Sequence, residues 1–590
     1  MAGSGNLAAP DREIKGGCAP PLTQGHSGPQ GGSGVLRMAE ETAGTGPAPG
    51  ASRPALVIGG AAVGTLFEWY DFFLYGALAG HIAKHFFAAV DERTAFTFAL
   101  VAFGAGFIAR PFGALAFGRI GDIVGRKNTF LVTMTIMGVS TFLVGLLPGY
   151  ATIGVAAPIL LVLLRVLQGL AIGGEYGGAA IYVAEHAPAN ARAFNTSWIN
   201  AMATAGLITS LLLIVGCRSL MPPEAFADWG WRIPFLVSVV LLGVSLWVRM
   251  RLAESPVFTE MKAQAQLSRA PLSEAFGRWS NLKLVLIALT GAVMGSTTIW
   301  YTAQFYALFF LQRMAKVDET QASLMMALAL AIAVPSFLLI GWLADRIGRK
   351  PFLVGGCVIA AITIFPAFHG LTWAANPALA AAQAKAPVTV AADPARCSVQ
   401  FDPVGSNRFD GSDCDVAKSF LSRAGVSYRT VALSAGGAAE VRVGGAVVRA
   451  PDPSSLSPAD RKAAIAAFQD KAKAALAAAG YPLSADPAAI NAPVVIAIVA
   501  FLVVLAAMTY APAAAFLVEL FPARIRYTSL SLPYHLGSGW VGGLLPATAF
   551  AIVTANGDIY SGLWYPVAFN AVCAVIGLLF LPETRGRPIA

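Results

Sequence analysis

Five ionisable side chains fall inside runs that are otherwise apolar: Glu68 and Asp71 in the first, Arg110 in the second, Arg165 and Glu175 in the fourth. A charge inside hydrocarbon is costly, so such residues are functional candidates by default. Glu68 and Asp71 are three apart and share a helix face, as do Arg165 and Gln168. At a rise of about 1.5 Å per residue, Asp71 lies about 24 Å above the inner surface and Arg165 about 12 Å below the outer one, at similar levels. By the same arithmetic Arg110 and Glu175 both lie about 10 to 12 Å above the inner surface. Each acid is therefore level with a base it can meet. An acid that takes up a proton releases its arginine, which then becomes available to an anion. Static bridges between helices fit the same residues.

The later half has a different set: Trp300, Tyr301, Gln304 and Tyr306 in the seventh run, Tyr534 and His535 in the eleventh. Trp300, Tyr301 and Gln304 join Arg165, Arg110 and Gln168 as candidate ligand-binding residues, although aromatic rings in such runs most often serve packing. His535 is placed beside an inner-surface loop. Neither a nucleophile with its base nor a metal-ligand cluster occurs at a recognisable spacing, so neither an enzyme nor a metal or organic cofactor is expected.

The elements holding these residues follow from composition. Of 590 residues 56% are hydrophobic and 12% charged, where a soluble chain carries about 25% charged; mean hydropathy is +0.65. Apolar runs fall near 55–83, 97–117, 128–148, 157–183, 195–216, 231–251, 283–311, 322–342, 352–371, 493–518, 528–553 and 562–582. Each is long enough to cross a hydrocarbon layer of about 30 Å as a helix. Lys and Arg gather after every second run, at Arg126 and Lys127, Arg192, Arg349 and Lys350, and Arg524 and Arg526. That asymmetry places those loops and both termini in the cytoplasm, and makes the formal charge of +9 a topology signal with no call for nucleic acid.

Two motifs recur. GRIGDIVGRK (Gly118, Asp122, Arg126) returns as GWLADRIGRK (Gly341, Asp345, Arg349), and E-x-x-P-x-x-x-R occurs from Glu185 to Arg192 and from Glu519 to Arg526. Each decapeptide reads as a short polar loop. Asp122 can bridge Arg126 while accepting from amides at a neighbouring helix end, so Gly118, Asp122, Arg126, Glu185, Arg192, Asp345, Arg349, Glu519 and Arg526 are candidates for a latch on the cytoplasmic side. The chain is thus two related halves.

Asp122 and Glu185 are 63 residues apart, Asp345 and Glu519 are 174 apart, so the second half holds an insertion of 111. The expected organisation is a disordered tail over 1–52, with Met38 as an alternative start; a six-helix bundle over 53–252; a connecting loop over 253–282; a second bundle over 283–371 and 492–583; and a short tail over 584–590. The insertion, 372–491, follows the ninth run and faces outward. VRVGGAVV (441–448) predicts a hairpin and 458–480 an amphipathic helix, so a small α+β domain is expected. Cys397 and Cys414 lie on its oxidising side and are expected to form a disulfide, two unpaired thiols being the alternative.

Taken with the twin GxxxDxxGRK loops and RVLQG (165–169), the chain resembles the major facilitator superfamily. GTLFEWYDFFLYG (64–76), RVLQGLAIGGEYGGA (165–179), WGWRIPF (229–235), ESPVF (254–258) and VELFPARIRYTSLSLPYHLG (518–537) resemble the metabolite:proton symporter family within it. The resemblance implies an all-α membrane protein of about twelve spans that imports a small metabolite with protons across a bacterial inner membrane, as a monomer in the lipid bilayer. Asp71, Glu68, Arg165 and Glu175 would carry the coupling. An organic acid anion is the expected substrate; a zwitterionic osmolyte, metabolite exchange, or ligand sensing through the insertion are the alternatives. Ile123 departs from the family loop, which usually has Arg there.

Overall fold

A computed structural model describes residues 54–90, 92–250, 254–264, 266–403, 407 and 409–589. The tail 1–52, with Cys18 and Met38, and the side chain of Arg126 lie outside the described residues.

Eleven described helices are long and apolar enough to cross a membrane: Val101–Ile123, Lys127–Leu146, Ala156–His186, Arg192–Leu220, Gly230–Val248, Trp279–Met314, Glu319–Ile347, Lys350–Ala375, Ala492–Leu520, Ala523–Asn556 and Ser561–Phe580. They are spans two to twelve. Span one is Pro54–Ala77, which ends earlier than its apolar run because Leu78 breaks it before a short helix, Ala79–Phe86. Spans seven and eleven are not plain α-helices: Thr302–Tyr306 and Leu536–Gly543 wind as π-helix.

The halves repeat each other in packing. Span four lies on spans two and three, as span ten lies on eight and nine; across the halves, five meets eight as eleven meets two. Twelve spans in two sets of six is the architecture expected. One local expectation fails. The repeated decapeptides are not loops: the second span stays helical through Ile123 and the eighth through Ile347, leaving two-residue breaks at Val124–Gly125 and Gly348–Arg349. Asp122 and Asp345 are buried by pairing across the halves, as described below, while Arg119 and Arg346 stay exposed.

The ninth span continues to Ala375, so the insertion starts at Asn376 and ends at Asn491. Its sheet has the order β2-β1-β3-β4, with β1 Val388–Ala392, β2 Tyr428–Ala432, β3 Glu440–Val443 and β4 Ala446–Arg449. The hairpin sits where VRVGGAVV predicts it, with Val443 opposite Ala446 and Gly444 at φ +56° between them. Pro458–Ala478 is helical, its N-terminus capped by Ser457, and it buries Phe468, Ala472 and Leu476 at four-residue steps against the sheet. Cys397 and Cys414 are disulfide-bonded.

Among the described residues, every hydrogen bond from the insertion to the bundles goes to the second half. Tyr428 N donates to Gly557 O at 2.7 Å, Ser427 Oγ to Asp558 Oδ1 at 3.2 Å, and Lys316 Nζ to Pro482 O at 2.9 Å. Lys316 sits at φ +60°, and burial pushes its ammonium down to about 8.

Candidate functional site

The acids of the first half share one place. Glu68 and Asp71 from span one and Glu175 from span four line a cavity of about 10 Å³, closed by Met134, Met137 and Gly138 of span three and Leu242 and Ser245 of span six. That is the room of about one water. Asp71 Oδ1 and Ser245 Oγ are buried there without a hydrogen-bond partner.

The bases lie elsewhere, which corrects the expected pairing. No ion pair joins Asp71 to Arg165 or Arg110 to Glu175 among the described residues. Arg165 donates from Nη1 to Gln168 Oε1 at 2.6 Å, Gln168 donates on to Thr141 at 2.8 Å, and the guanidinium lies 4.4 Å from the Tyr75 ring and 4.9 Å from Phe72. The cause is rotation. One helical residue turns the chain by about 100°, so Phe72 and Tyr75 face Arg165 while Asp71 faces into the bundle at the same level.

Arg110 sits between the halves. Its Nη1 donates to Tyr301 Oη of span seven at 3.2 Å, and its charge lies 4.4 Å from Phe72 and 4.6 Å from Phe107. Its Nε and Nη2 are buried with no partner. Around it the halves meet through rings, Trp69 with Trp300 at 5.2 Å and Phe73 with Phe305 at 5.0 Å. Gln304 donates to Thr204 of span five at 3.2 Å. Trp300, Tyr301 and Gln304 are therefore all in the interface. His535, expected beside a surface loop, is instead fully buried in span eleven.

At the motif-bearing end the two halves exchange partners. Asp345 of the second half accepts from the amides of Ala193 and Phe194, the first turn of span five, at 3.0 and 2.8 Å. Asp122 of the first half accepts from Tyr527 and Thr528, the first turn of span eleven, at 3.2 and 3.0 Å. A carboxylate at a helix N-terminus is held by orphan amides and by the helix dipole. The arginines cross too: Arg526 donates to Glu185 at 2.7 Å, and Arg192 stands 3.5 Å from Glu519. Arg349 completes the second cluster, 2.9 Å from Asp345 and 3.0 Å from Glu519.

The motif glycines make this approach possible. A Cβ on Gly118 would lie 3.2 Å from Thr528 Cα, and one on Gly341 would lie 2.8 Å from Ala193 O. Two further carboxylates, not singled out from the sequence, finish the repeat. Glu254 accepts from the Lys127 amide at 3.2 Å, and Glu583 from those of Arg349 and Lys350 at 3.0 Å each. Burial raises the Glu583 carboxyl, but amides of Arg349, Arg585, Lys350 and Thr584 outweigh it and hold it below the usual range. The available signal was a third repeat, ESP after span six and PET after span twelve.

The family model for sugar (and other) transporters matches residues 57–286 and 472–590. The chain belongs to that family. Within it, this transporter is a member of the metabolite:proton symporter group of the major facilitator superfamily and a multi-pass membrane protein. It is 38% identical over 317 residues to the shikimate transporter of Escherichia coli, a match covering 53% of this chain and 71% of that one. The citrate-proton symporter of Klebsiella pneumoniae is 35% identical over 314 residues, 53% of this chain and 69% of that one. The proline/betaine transporter of Salmonella typhimurium is 34% identical over 321 residues, 52% of this chain and 63% of that one. A solved structure of the proton:xylose symporter XylE with 6-bromo-6-deoxy-D-glucose shares the fold at a TM-score of 0.58 and 14% identity, covering 91% of this chain and 97% of that one.

Proposed function

We propose that this transporter imports an organic acid anion together with protons across a bacterial inner membrane, by alternating access of its two halves. The observation that carries the reading is Arg110, a buried cation between the halves with two nitrogens unpartnered and, among the described residues, no ion pair to a carboxylate. A buried charge without a counter-ion is strongly unfavourable. An anionic substrate supplies that counter-ion. Arg165, likewise without an ion pair among the described residues, is the second candidate, with Gln168, Trp300, Tyr301 and Gln304 shaping the site.

Protons are assigned to Glu68, Asp71 and Glu175, three carboxyls around one small cavity. Ionising all three there is unfavourable because like charges at close range repel and burial penalises each. Protonation from one side and release to the other is the coupling step. The citrate-proton symporter and shikimate transporter among the relatives fit an acid substrate. The paired clusters at the motif-bearing end form the cytoplasmic gate, which opens when both halves release each other's helix ends.

Proteoliposomes test the reading. Uptake of a labelled organic acid is expected under an inward proton gradient, to be abolished by a protonophore, and to fall at least tenfold in Arg110→Ala. Uptake that is indifferent to the gradient would reject proton symport; uptake only into vesicles preloaded with acid would favour exchange.

A further inference from the structure

Facing Arg110 across the interface, span eleven presents a buried polar face that nothing in the bundle satisfies. Ser531, His535 and Ser538 follow each other at steps of four and three residues, all with no exposed surface. Neither hydroxyl has a hydrogen-bond partner, and neither ring nitrogen of His535 has one. The face points to the first half: a Cβ on Gly177 of span four would lie 2.2 Å from Ser531 Oγ, and one on Gly539, one turn beyond His535, would lie 3.4 Å from Arg110 Cβ. One turn beyond Tyr301, which accepts from Arg110, Gln304 Oε1 is also buried and unpartnered. The π-helical segments Thr302–Tyr306 and Leu536–Gly543 hold Gln304 and Ser538, with His535 directly before the second, and such turns concentrate at functional sites.

We infer that this face reads the hydroxyl groups of the substrate, and that the substrate is a hydroxylated monocarboxylate whose carboxylate is held by Arg110. The inference rests on the anion reading above and narrows it. Its logic is one of charge and of donor–acceptor type. A neutral imidazole and a serine hydroxyl each donate and accept, as an alcohol does, and Gln304 Oε1 adds an acceptor. Of the two buried arginines, Arg165 spends Nη1 on Gln168 and packs on the Tyr75 and Phe72 rings, so Arg110 alone is left to neutralise a carboxylate; a tricarboxylate would leave two charges facing neutral groups. A zwitterion would need an acid or an open aromatic face for its cation. The acids of the first half line their own cavity behind span one, and the nearest rings, Phe72 and Phe107, are already covered by Arg110 itself.

Thermal stabilisation of the purified full-length protein by added ligand gives the test, since a ligand bound only by the folded state raises its stability. The probes are shikimate as a ring trihydroxy monocarboxylate, cyclohexene-1-carboxylate as the same acid without hydroxyls, citrate, and glycine betaine. Wild type is expected to saturate with shikimate at a concentration at least ~10-fold lower than with the dehydroxylated acid, the effect of leaving buried polar groups unmatched. In His535→Phe that ratio is expected to collapse to within about threefold, through weaker binding of shikimate with the dehydroxylated acid unchanged; His535→Gln restores part of it. Ser538→Ala provides the same comparison should the histidine variants elute as aggregates.

Equal affinity of the two ring acids in wild type would overturn the inference, as would an unchanged ratio in a folded His535→Phe or Ser538→Ala, or tighter binding of citrate or betaine. If the two ring acids bind equally and both depend on Arg110, only this inference falls. If no carboxylate binds at all, the anion reading falls with it.

Discussion

Arg526 and Glu185 lie 341 residues apart in sequence and 2.7 Å apart in space, so that an arginine of the second half completes the cluster built on the first half's motif. The same exchange relates Arg192 to Glu519. These pairs are buried, and a buried pair is strongly destabilising to break from one side because the remaining charge stays unpaired.

Arg526→Met is therefore expected to destabilise the detergent-solubilised protein by about 3–5 kcal/mol. Glu185→Met/Arg526→Met together should cost less than Arg526→Met alone. Thermal unfolding of the two variants side by side checks this, and a double variant less stable than the single would remove the pair from the account.

The turn glycines carry a sharper constraint. Gly125 and Gly348 adopt φ +128° and +135°, and a Cβ there would lie 2.6 Å from Glu254 Oε2 and 2.5 Å from Glu583 Oε2. Gly348→Ala is expected to cost roughly 1–3 kcal/mol from backbone strain alone. Combining it with Glu583→Ala relieves only the contact, so most of the loss should persist.

For coupling, Asp71→Asn and Glu68→Gln are expected to abolish accumulation driven by a proton gradient while leaving substrate-induced thermal stabilisation. Full gradient-driven accumulation by both variants would place the proton elsewhere.

Glu583 gives a pH dependence. Its carboxyl is held below the unfolded value, about 4.3 for Glu, so the stability it adds is complete above that pH and is lost as pH falls through the depressed folded value. Glu583→Gln should therefore lower the melting temperature at neutral pH and show a flatter decline below about pH 4 than wild type.

The Cys397–Cys414 bond closes a loop with a sequence separation of 17. A closure of that size is worth about 3 kcal/mol in the chain-entropy model. Reductant should loosen the insertion, measured as faster hydrogen exchange over 388–432, and alkylation of the denatured protein without reductant should leave both sites unmodified.

What could be read without coordinates divides along physical lines. Spans were legible because crossing a bilayer demands about 20 apolar residues, and the insertion because two motif copies with unequal spacing measure its length. VRVGGAVV announced its hairpin through the Gly pair. The pairing of Asp71 was not legible. Rise per residue fixes depth but says nothing of azimuth between helices, and one residue of rotation sent Phe72 to Arg165 and Asp71 to the acid cavity. Nor could spacing show that Asp122 and Asp345 cap helices of the opposite half, since both motifs look complete within their own. His535 was misjudged because span eleven enters the bundle earlier than its apolar run suggests, its first residues, Arg526, Tyr527 and Thr528, being polar groups satisfied across the interface.

Among the described residues, the hydrogen bonds of the insertion hold the loops of the second half, through Ser427, Tyr428 and Lys316. It is in effect a lever fixed to the second bundle. A fluorophore on its exposed Val399 or Leu483, paired with one on the end of the first bundle opposite its motif, would follow the rocking of one half against the other without touching the motif clusters.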